Sequence, residues 1–459
     1  MLLLVLNTSK LSTAKPSPPN DPNLKTKSIS SGPTHGGGSI SHTKTENVKT
    51  VKSKGKSKSK KMNEIERARL ERQEAMKRIR EKCRNNPACK EQTAEAKSSR
   101  KVAKKAHLGS LLHEFGGDYK KAERVAEETL QATQAAKKAV MAKYGLADVV
   151  EPADNGVWED DILLTLDQAV DLKRNIENSA DDDVNGGLHS SQDSGISRTK
   201  RGSSTFMEDY PNRKWGLNIP YRFSTGFTTP EKENIRKGLK EIDDNTCINF
   251  FEVDMDHMDP GPHIFFKFTL RTEYNFSGCG QSPVGRYLEK GQNWITMMET
   301  CSDEFYFVAM HEVLHSLGIW HTQTRQDRDF YIAIDWDNID PTNVAFLAQN
   351  NTNKCSTSYG VPYEYGSIMH YSAKTHAEDS RFYVMYAKFQ PVNDNTKLMG
   401  QRSNLTQNDI DLVNRIYCSK TTDCVDRNRT CGVNSILMQC NNPKHPEMPV
   451  DCPKSCGLC

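Results

Sequence analysis

The sequence of 459 residues has no long, uninterrupted apolar run. A membrane-spanning helix needs about 20 mostly apolar residues, and no internal segment supplies them, so we predict no transmembrane anchor. Residues Met1–Leu6 are apolar, but this run is shorter than the core of a standard signal peptide and no charged residues precede it. We therefore expect the export signal to be either minimal or missing from this sequence.

Large apolar side chains are scarce across residues 8–60, which consist mainly of Ser, Thr, Lys, Gly and Pro. Such a segment cannot bury enough surface to offset its conformational entropy, so we predict that residues 1–60 are a signal-like start followed by a disordered linker. The basic run Lys52–Lys56 is a candidate contact for anionic partners. A solvated linker is the simpler interpretation.

Residues 61–146 lack a face of positive charge alone, because their basic residues have acidic residues nearby. The segment is rich in Ala, Glu, Lys, Arg and Gln. Acidic residues alternate there with basic ones at helical spacing, as is typical of surface helices with ion pairs one turn apart. A nucleic-acid partner would need a uniformly basic face. We therefore predict a charged helical segment and no nucleic-acid partner.

Cysteine is abundant and unevenly placed. Two of the 13 cysteines lie in the helical segment, five lie within residues 247–418, and six lie in the last 36 residues. So dense a cluster predicts disulfides and an oxidising, extracellular compartment. Four sequons agree with a secreted glycoprotein, although each alone is a weak pattern. Their asparagines are Asn275, Asn350, Asn404 and Asn428.

The strongest chemical signal is a short histidine-rich run. His311 and His315 are four residues apart, so on a helix both imidazoles project from one face, with Glu312 beside them. Gly318 allows the chain to turn and to bring back His321 as a third nitrogen ligand. Three protein ligands leave one coordination position open, which distinguishes a catalytic zinc site from a closed structural one.

This run is part of a longer pattern, which includes Arg325–Asp329 and the later turn Ser367–Tyr371. The combination resembles the astacin metalloproteases, a metzincin family. The resemblance implies an α+β fold with two lobes around a zinc cleft, and one Zn²⁺ per catalytic domain. It also implies that Met369 lies beneath the zinc and that Glu312 is the general base. By the same resemblance, Tyr371 binds the zinc in the resting enzyme and swings away to support the oxyanion. A core aromatic is the alternative for Tyr371.

A basic cleavage signal, Arg198–Arg201, lies in a stretch rich in Ser, Gly and Asp, which we expect to be accessible to a furin-like protease. Cleavage after Arg201 would make Gly202 the mature N-terminus. Residues 61–201 would then be a helical pro-region, and residues 202–420 the catalytic domain. An ordinary solvated charge run is the alternative interpretation.

The sequence around Trp158 is similar to the Phe-x-Gly-Asp segment through which astacin propeptides keep the enzyme inactive. The resemblance assigns Asp161 to the fourth zinc position in the zymogen and Trp158 to the aromatic anchor. Asp160 replaces the family's glycine, so either carboxylate is a candidate ligand. The alternative is an acidic helix start before residues 163–170.

Three further residues bear on activation and specificity. Trp320 stands where the family usually has phenylalanine, and Thr322 replaces a glutamate that helps to tether the mature N-terminus. Because threonine carries no charge, and because residues 202–215 look longer than the family's start, we expect the new terminus not to be buried in the usual way. Arg402 matches an arginine that selects an acidic substrate residue in several relatives; an ordinary exposed arginine is the alternative.

The resemblance also implies the disulfides Cys247–Cys418 and Cys279–Cys301 in the catalytic domain, which should stabilise it by a few kcal/mol each. Cys83 and Cys89 are candidates for a bridge with each other. Cys355 is then free or available for an intermolecular bond.

Residues 424–459 resemble a ShKT domain. Six cysteines allow many pairings, so their spacing does not set the connectivity. The family pattern implies the pairs Cys424–Cys459, Cys431–Cys452 and Cys440–Cys456. A zinc knuckle is the alternative, which the lack of suitably spaced histidines disfavours. We interpret the module as a targeting or substrate-presenting appendage.

These observations predict a secreted zinc endopeptidase, made as a zymogen, that acts on extracellular proteins. One alternative is a secreted binding protein whose catalytic-looking domain is a scaffold for the ShKT module. The presence of every ligand and of the base argues against it. A third hypothesis, intracellular peptide turnover, would require reduced cysteines.

Overall fold

The structure, a computed structural model, describes residues 64–178, 210–253, 261–272, 278–287, 291–325, 327–348 and 359–418. Several predicted features lie outside the described residues: residues 1–60, the cleavage site at Arg201 and Gly202, Cys355, Asn275, Asn350, Asn428 and the ShKT cysteines. Among the described residues, no helix combines the length and the apolar character that are needed to cross a bilayer.

We keep the name pro-region for residues 61–201, whose removal is a prediction. Its described part begins with three long helices, as the helical spacing of its charges predicts. They are α1 (Glu64–Cys83), α2 (Ala94–Glu114) and α3 (Tyr119–Lys143). The side chain of Thr93 caps α2 and that of Asp118 caps α3, each by accepting a hydrogen bond from a first-turn amide. A disulfide between Cys83 and Cys89 ties the end of α1 to the turn that follows it.

A short strand, β1 (Ile162–Leu163), and a fourth helix, α4 (Leu166–Asn178), follow these helices. The acidic residues 159–161 form a turn before β1. The helix begins only at Leu166, so the alternative of an acidic helix start at this turn is wrong.

The catalytic domain opens with a mixed α/β lobe. Its elements are β2 (Asn218–Phe223), α5 (Thr229–Asn245), β3 (Asn249–Glu252), β4 (His263–Thr269), β5 (Gly280–Pro283), β6 (Gln292–Met298) and α6 (Phe305–Ser316). Helix α5 begins at Thr229 with proline in its first turn, and Thr228 and Glu231 form a capping box there. The disulfide Cys279–Cys301 joins the residue before β5 to the turn before α6.

One six-stranded sheet joins the pro-region to this lobe, in the order β1-β5-β6-β4-β2-β3. All neighbouring pairs are parallel except β5 and β6. The pro-region strand β1 extends the sheet at the β5 edge, where Ile162 lies opposite Ser282. Aromatic rings of Phe227, Phe268 and Phe305 pack together and attach α6 to the lobe.

The rest of the domain consists of short elements. They are α7 (Arg328–Tyr331), β7 (Ile332–Ile334), α8 (Val344–Ala348), β8 (Met385–Ala387), α9 (Val392–Leu398), α10 (Gln407–Val413) and a π-helical turn (Asn414–Cys418). Strands β7 and β8 form a separate antiparallel pair. The disulfide Cys247–Cys418 ties the end of this part to the start of the domain. The predicted glycosylation site Asn404 is exposed in the loop before α10.

Candidate metal centre

Two of the predicted ligands are fixed by a buried helix. His311 and His315 lie on α6, whose apolar residues Val308 and Leu314 are buried in the core. Gly318 then adopts a φ of +98°, a backbone conformation that favours glycine. Because the chain turns there, His321 returns to face the other two rings, as the spacing predicts.

The structure brings a fourth side chain, Asp161, to the three histidines. Asp161 Oδ2 lies 3.3 Å from His311 Nε2 and 3.3 Å from His321 Nε2, and its Oδ1 lies 3.5 Å from His315 Nε2. The Nε2 atoms of His311 and His321 are 3.4 Å apart. All four ligand atoms lie within 4.8 Å of one another.

These spacings fit a zinc ion. Ligands about 2.0–2.1 Å from a tetrahedral zinc are separated from one another by about 3.3 Å, which is the edge of the tetrahedron. Two of the buried atoms that point into the cluster, His315 Nε2 and Asp161 Oδ1, make no hydrogen bond among the described residues. The four side chains therefore have the spacing, the chemistry and the unsatisfied atoms of a metal centre.

The Nδ1 atom of each histidine lies within hydrogen-bond distance of an acceptor oxygen. His311 Nδ1 lies 2.9 Å from the carbonyl oxygen of Ile368, and His315 Nδ1 lies 2.7 Å from that of Ile319. His321 Nδ1 lies 3.0 Å from Glu159 Oε2. Because all three acceptors are oxygens without a proton to give, each Nδ1 carries the proton and leaves Nε2 as the ligand atom.

Burial and nearby carboxylates move the pKa values of these rings in opposite directions. Burial lowers the pKa of His311 to about 3. Burial also acts on His321, but the carboxylates of Asp161 and Glu159 outweigh it and raise the pKa of that ring to about 9. The carboxylates of Asp161 and Glu159 therefore favour positive charge at His321, whether a proton or a bound cation supplies it.

The predicted base lies beside the cluster. Glu312 is only 2% exposed, and its Oε2 makes no hydrogen bond among the described residues. Burial, reinforced by Asp161, raises its pKa well above the ordinary value, and the charge of Arg402 opposes the shift. Gly280 on β5 makes room for this carboxylate, because a Cβ there would overlap Glu312 Oε1. No motif in the sequence singles out Gly280.

Arg402 lies at the edge of the same cleft. Together with Glu312 and His311 it lines a cavity of about 530 Å³ between the pro-region and the catalytic domain. Its side chain is exposed, and the guanidinium donates to the carbonyl oxygen of Gln401 at 3.0 Å. The structure therefore places Arg402 beside Glu312 at the cleft, and its role in specificity stays a prediction.

The predicted turn around Met369 packs against the third ligand. Met369 is 1% exposed, and its carbonyl oxygen accepts a hydrogen bond of 2.9 Å from Thr322 N. Thr322, which departs from the family, donates through Oγ1 to Ser367 Oγ at 3.0 Å, and Ser367 donates in turn to Asp409. The threonine thus ties the loop of His321 to this turn. The ring of Tyr371 lies 4.5 Å from that of His321.

A tight hairpin carries Asp161 into the cleft. Trp158 and Ile162 exchange both backbone hydrogen bonds, while Glu159 and Asp160 adopt φ values of +46° and +67°. Asp160 therefore keeps the left-handed conformation that glycine would favour, and its carboxylate forms an ion pair with His376 at 2.5 Å. Asp160 is not part of the metal cluster.

The same hairpin holds the tyrosine. The hydroxyl of Tyr371 donates to the carbonyl oxygen of Glu159. While the pro-region is in place, this hydroxyl is therefore engaged in a hydrogen bond with it. Neither Glu159 nor His376 is predicted as a site residue from the sequence. The only signal for Glu159 was its place in an acidic triplet next to Trp158.

Comparisons with known proteins agree with this centre. Residues 207–418 match the model of the Astacin peptidase family, and residues 423–459 match the ShK domain-like model. The zinc metalloproteinase nas-11 of Caenorhabditis elegans is 33% identical over 407 residues, which are 83% of this chain and 65% of that protein. The zinc metalloproteinase nas-9 of the same organism is 35% identical over 333 residues, or 71% of this chain and 57% of that protein.

The chain therefore spans less than two thirds of the length of these relatives. A solved structure of high choriolytic enzyme 1, a hatching-enzyme zinc protease from the medaka Oryzias latipes, is 27% identical; the match covers 46% of this chain and 92% of that one, with a TM-score of 0.36. The resemblance inferred from the sequence is confirmed by the family models and the relatives. This chain therefore contains an astacin-type peptidase domain at residues 207–418 and a ShK-like domain at residues 423–459.

Proposed function

We propose that this chain is a zinc-dependent endopeptidase that is made in an inactive form. The observation that carries the proposal is the cluster of three catalytic-domain histidines and one pro-region carboxylate, Asp161, whose ligand atoms lie within 4.8 Å of one another. A carboxylate in the fourth position denies that position to water and to a substrate carbonyl group. Removal of the pro-region therefore opens the centre.

Zinc, when bound, acts as a Lewis acid that polarises a peptide carbonyl and lowers the pKa of water. Glu312 accepts the proton of the attacking water and delivers it to the nitrogen of the leaving amine. Its Oε2, which no group among the described residues engages, is the atom suited to this transfer. Once Glu159 has left, the hydroxyl of Tyr371 becomes available to donate to the developing oxyanion.

Activation in this proposal is cleavage after Arg201 by a furin-like protease, with Gly202 as the new N-terminus. The disulfides of the described residues support an oxidising compartment, and hence secretion and extracellular protein substrates. The intact set of ligands and base favours an enzyme over a scaffold for the ShK-like module.

Glu312→Gln tests the chemistry. In the chain cleaved after Arg201, we expect this change to reduce hydrolysis of a protein substrate by about 10²- to 10⁴-fold, because the proton acceptor is lost, while zinc content stays the same. Glu304→Gln, at an exposed acid just before α6, is the matched control and should leave the rate unchanged. Hydrolysis that survives both Glu312→Gln and a zinc chelator would contradict the proposal.

Arg402 is proposed to select substrates with an acidic residue after the scissile bond. Its charge borders the cavity that also contains Glu312. We expect the cleaved chain to prefer Asp or Glu at that position in a peptide library, and Arg402→Ala to remove the preference. An unchanged preference would show that another group selects the substrate.

A further inference from the structure

Two of the three metal-ligating histidines are oriented by the catalytic domain alone, and the third is not. The acceptors for His311 and His315 are backbone carbonyl oxygens of Ile368 and Ile319. The acceptor for His321 is the carboxylate of Glu159, which belongs to the pro-region. The pro-region therefore contacts the centre from two directions, through Asp161 at the ligand position and through Glu159 behind a ligand.

Burial and hydrogen bonds fix the position of the Glu159 side chain. The side chain is 2% exposed, and both carboxylate oxygens are used: Oε1 accepts from the indole Nε1 of Trp158 at 3.1 Å, and Oε2 from His321 Nδ1 at 3.0 Å. Its own carbonyl oxygen accepts from Tyr371. The carboxylate is thus held at two points and the backbone of the residue at a third, so the carboxylate cannot leave the imidazole without breaking these contacts.

A carboxylate behind a ligating imidazole affects the metal. It fixes the ring orientation and the tautomer, and it makes Nε2 a stronger donor; loss of such a partner typically weakens metal binding by about 10- to 100-fold. We infer that Glu159 is a positioning residue through which the pro-region tightens zinc binding by the proenzyme, separately from the bond that Asp161 makes. The inference rests on the proposed zinc centre. It implies that activation removes this support from His321.

Zinc affinity of the full-length chain, measured by competition with a chelator, tests the inference. We expect Glu159→Gln, which keeps the shape but loses the charge, to weaken zinc binding by about 10-fold or more, and Glu159→Ala to weaken it further. Asp160→Asn is the matched control: it removes a neighbouring charge, and asparagine tolerates the left-handed backbone. It should leave the affinity unchanged. An effect of Asp160→Asn equal to that of Glu159→Gln would overturn the inference.

A double-mutant cycle separates Glu159 from Asp161. If Glu159 acts through His321, Glu159→Gln weakens zinc binding by a similar factor whether residue 161 is Asp or Ala. If Glu159 only positions Asp161, Glu159→Gln does not weaken zinc binding any further in the chain that already carries Asp161→Ala, and the inference fails.

The visible spectrum of the cobalt-substituted chain gives an independent signature. It should shift in Glu159→Gln and stay constant in Asp160→Asn, and a spectrum unaffected by Glu159→Gln would count against the inference. Far-UV circular dichroism checks that each variant is folded. If a Glu159 variant does not fold, Glu159→Asp, which draws the carboxylate back from His321, takes its place. If the unsubstituted chain binds no zinc, the proposed function fails; if it binds zinc equally well without Glu159, only this inference fails.

Discussion

Lys137 shows at the scale of one residue how charge is buried in the pro-region. It lies on α3 with no exposed surface. Its ammonium group donates to the carbonyl oxygen of Ala153 at 2.8 Å and to Asn155 Oδ1 at 2.5 Å, and it lies 5.1 Å from the ring of Phe346 in the catalytic domain. Burial lowers its pKa to about 8, although Asp160 opposes the shift.

This shift predicts a specific pH dependence. Between pH 8 and about 10.4, the ordinary lysine pKa, the unfolded chain binds a proton at Lys137 that the folded chain does not, so its contribution to stability rises with pH. The difference in unfolding free energy between the natural chain and Lys137→Met should grow in favour of the natural chain by up to about 3 kcal/mol over that range. Denaturant titrations at several pH values measure it. A flat or falling difference would be inconsistent with this environment.

Residues of the centre differ in how far the sequence predicts them. His311, His315 and Glu312 follow from a helical repeat, which requires no knowledge of the rest of the fold. The choice between Asp160 and Asp161 depends on which side of a hairpin each carboxylate occupies, and that follows from two left-handed residues that the sequence does not announce. Glu159 escaped prediction for the same reason.

At the scale of elements, the packing of α2 on β6 controls the fit of the pro-region. Gly109 lies against the indole ring of Trp294, where a Cβ would overlap the ring, and the neighbouring Ser110 Oγ accepts a hydrogen bond of 3.3 Å from Trp294 N. Alanine favours an isolated helix by about 0.5–1 kcal/mol over glycine. The clash acts in the opposite direction.

Gly109→Ala should therefore destabilise the chain by about 1–3 kcal/mol, the usual effect of overpacking. Thermal unfolding of the full chain measures the change. Gly216→Ala, where a Cβ meets nothing within 4 Å, is the control and should have little effect. Stabilisation by Gly109→Ala would mean that α2 does not lie against Trp294.

The elements themselves were only partly predictable. Helical spacing predicts α1 to α3, but it suggests solvated surface helices, whereas α2 buries His107 and Ser110 and α3 buries Lys137. Groups elsewhere in the fold contact these buried polar residues. His107 Nδ1, for example, lies 2.7 Å from the hydroxyl of Tyr287, whereas His107 Nε2 makes no hydrogen bond among the described residues. Strand β1 has two residues, too few for any periodic signal.

At the scale of the whole molecule, two disulfides close loops of very different length. Cys247–Cys418 spans 171 residues, and Cys83–Cys89 spans 6. A disulfide lowers the entropy of the unfolded chain, and more so when it closes a longer loop. On this basis the first bridge should stabilise the fold by about 5 kcal/mol and the second by about 2 kcal/mol. Paired Cys-to-Ser variants at each bridge, compared by thermal unfolding, should show the larger loss for Cys247 and Cys418. An equal or larger loss for the short loop would rule out this explanation.

The pro-region also holds the catalytic domain by charge, through residues outside the metal cluster. Arg72 of α1 forms a buried ion pair of 2.5 Å with Asp329 of α7. Removing one partner of such a pair costs about 3–5 kcal/mol when the other charge is left unpaired. Asp329 keeps a second ion pair with Arg328 at 3.1 Å, so the loss of Arg72 should cost less. We therefore expect Arg72→Met to weaken the attachment of the pro-region, seen as earlier release of α1 to α4 during urea unfolding. Arg84→Met, at an exposed pair within the pro-region, is the control and should leave that release unchanged.

The most direct test compares hydrolysis of a protein substrate by the intact chain with hydrolysis by the chain that has been cleaved after Arg201 and separated from its pro-region. At equal zinc content, the account predicts no hydrolysis by the intact chain, in which Asp161 occupies the fourth position. It predicts hydrolysis by the separated catalytic part that a zinc chelator abolishes. Equal rates from the two forms, or hydrolysis that the chelator does not affect, would contradict it.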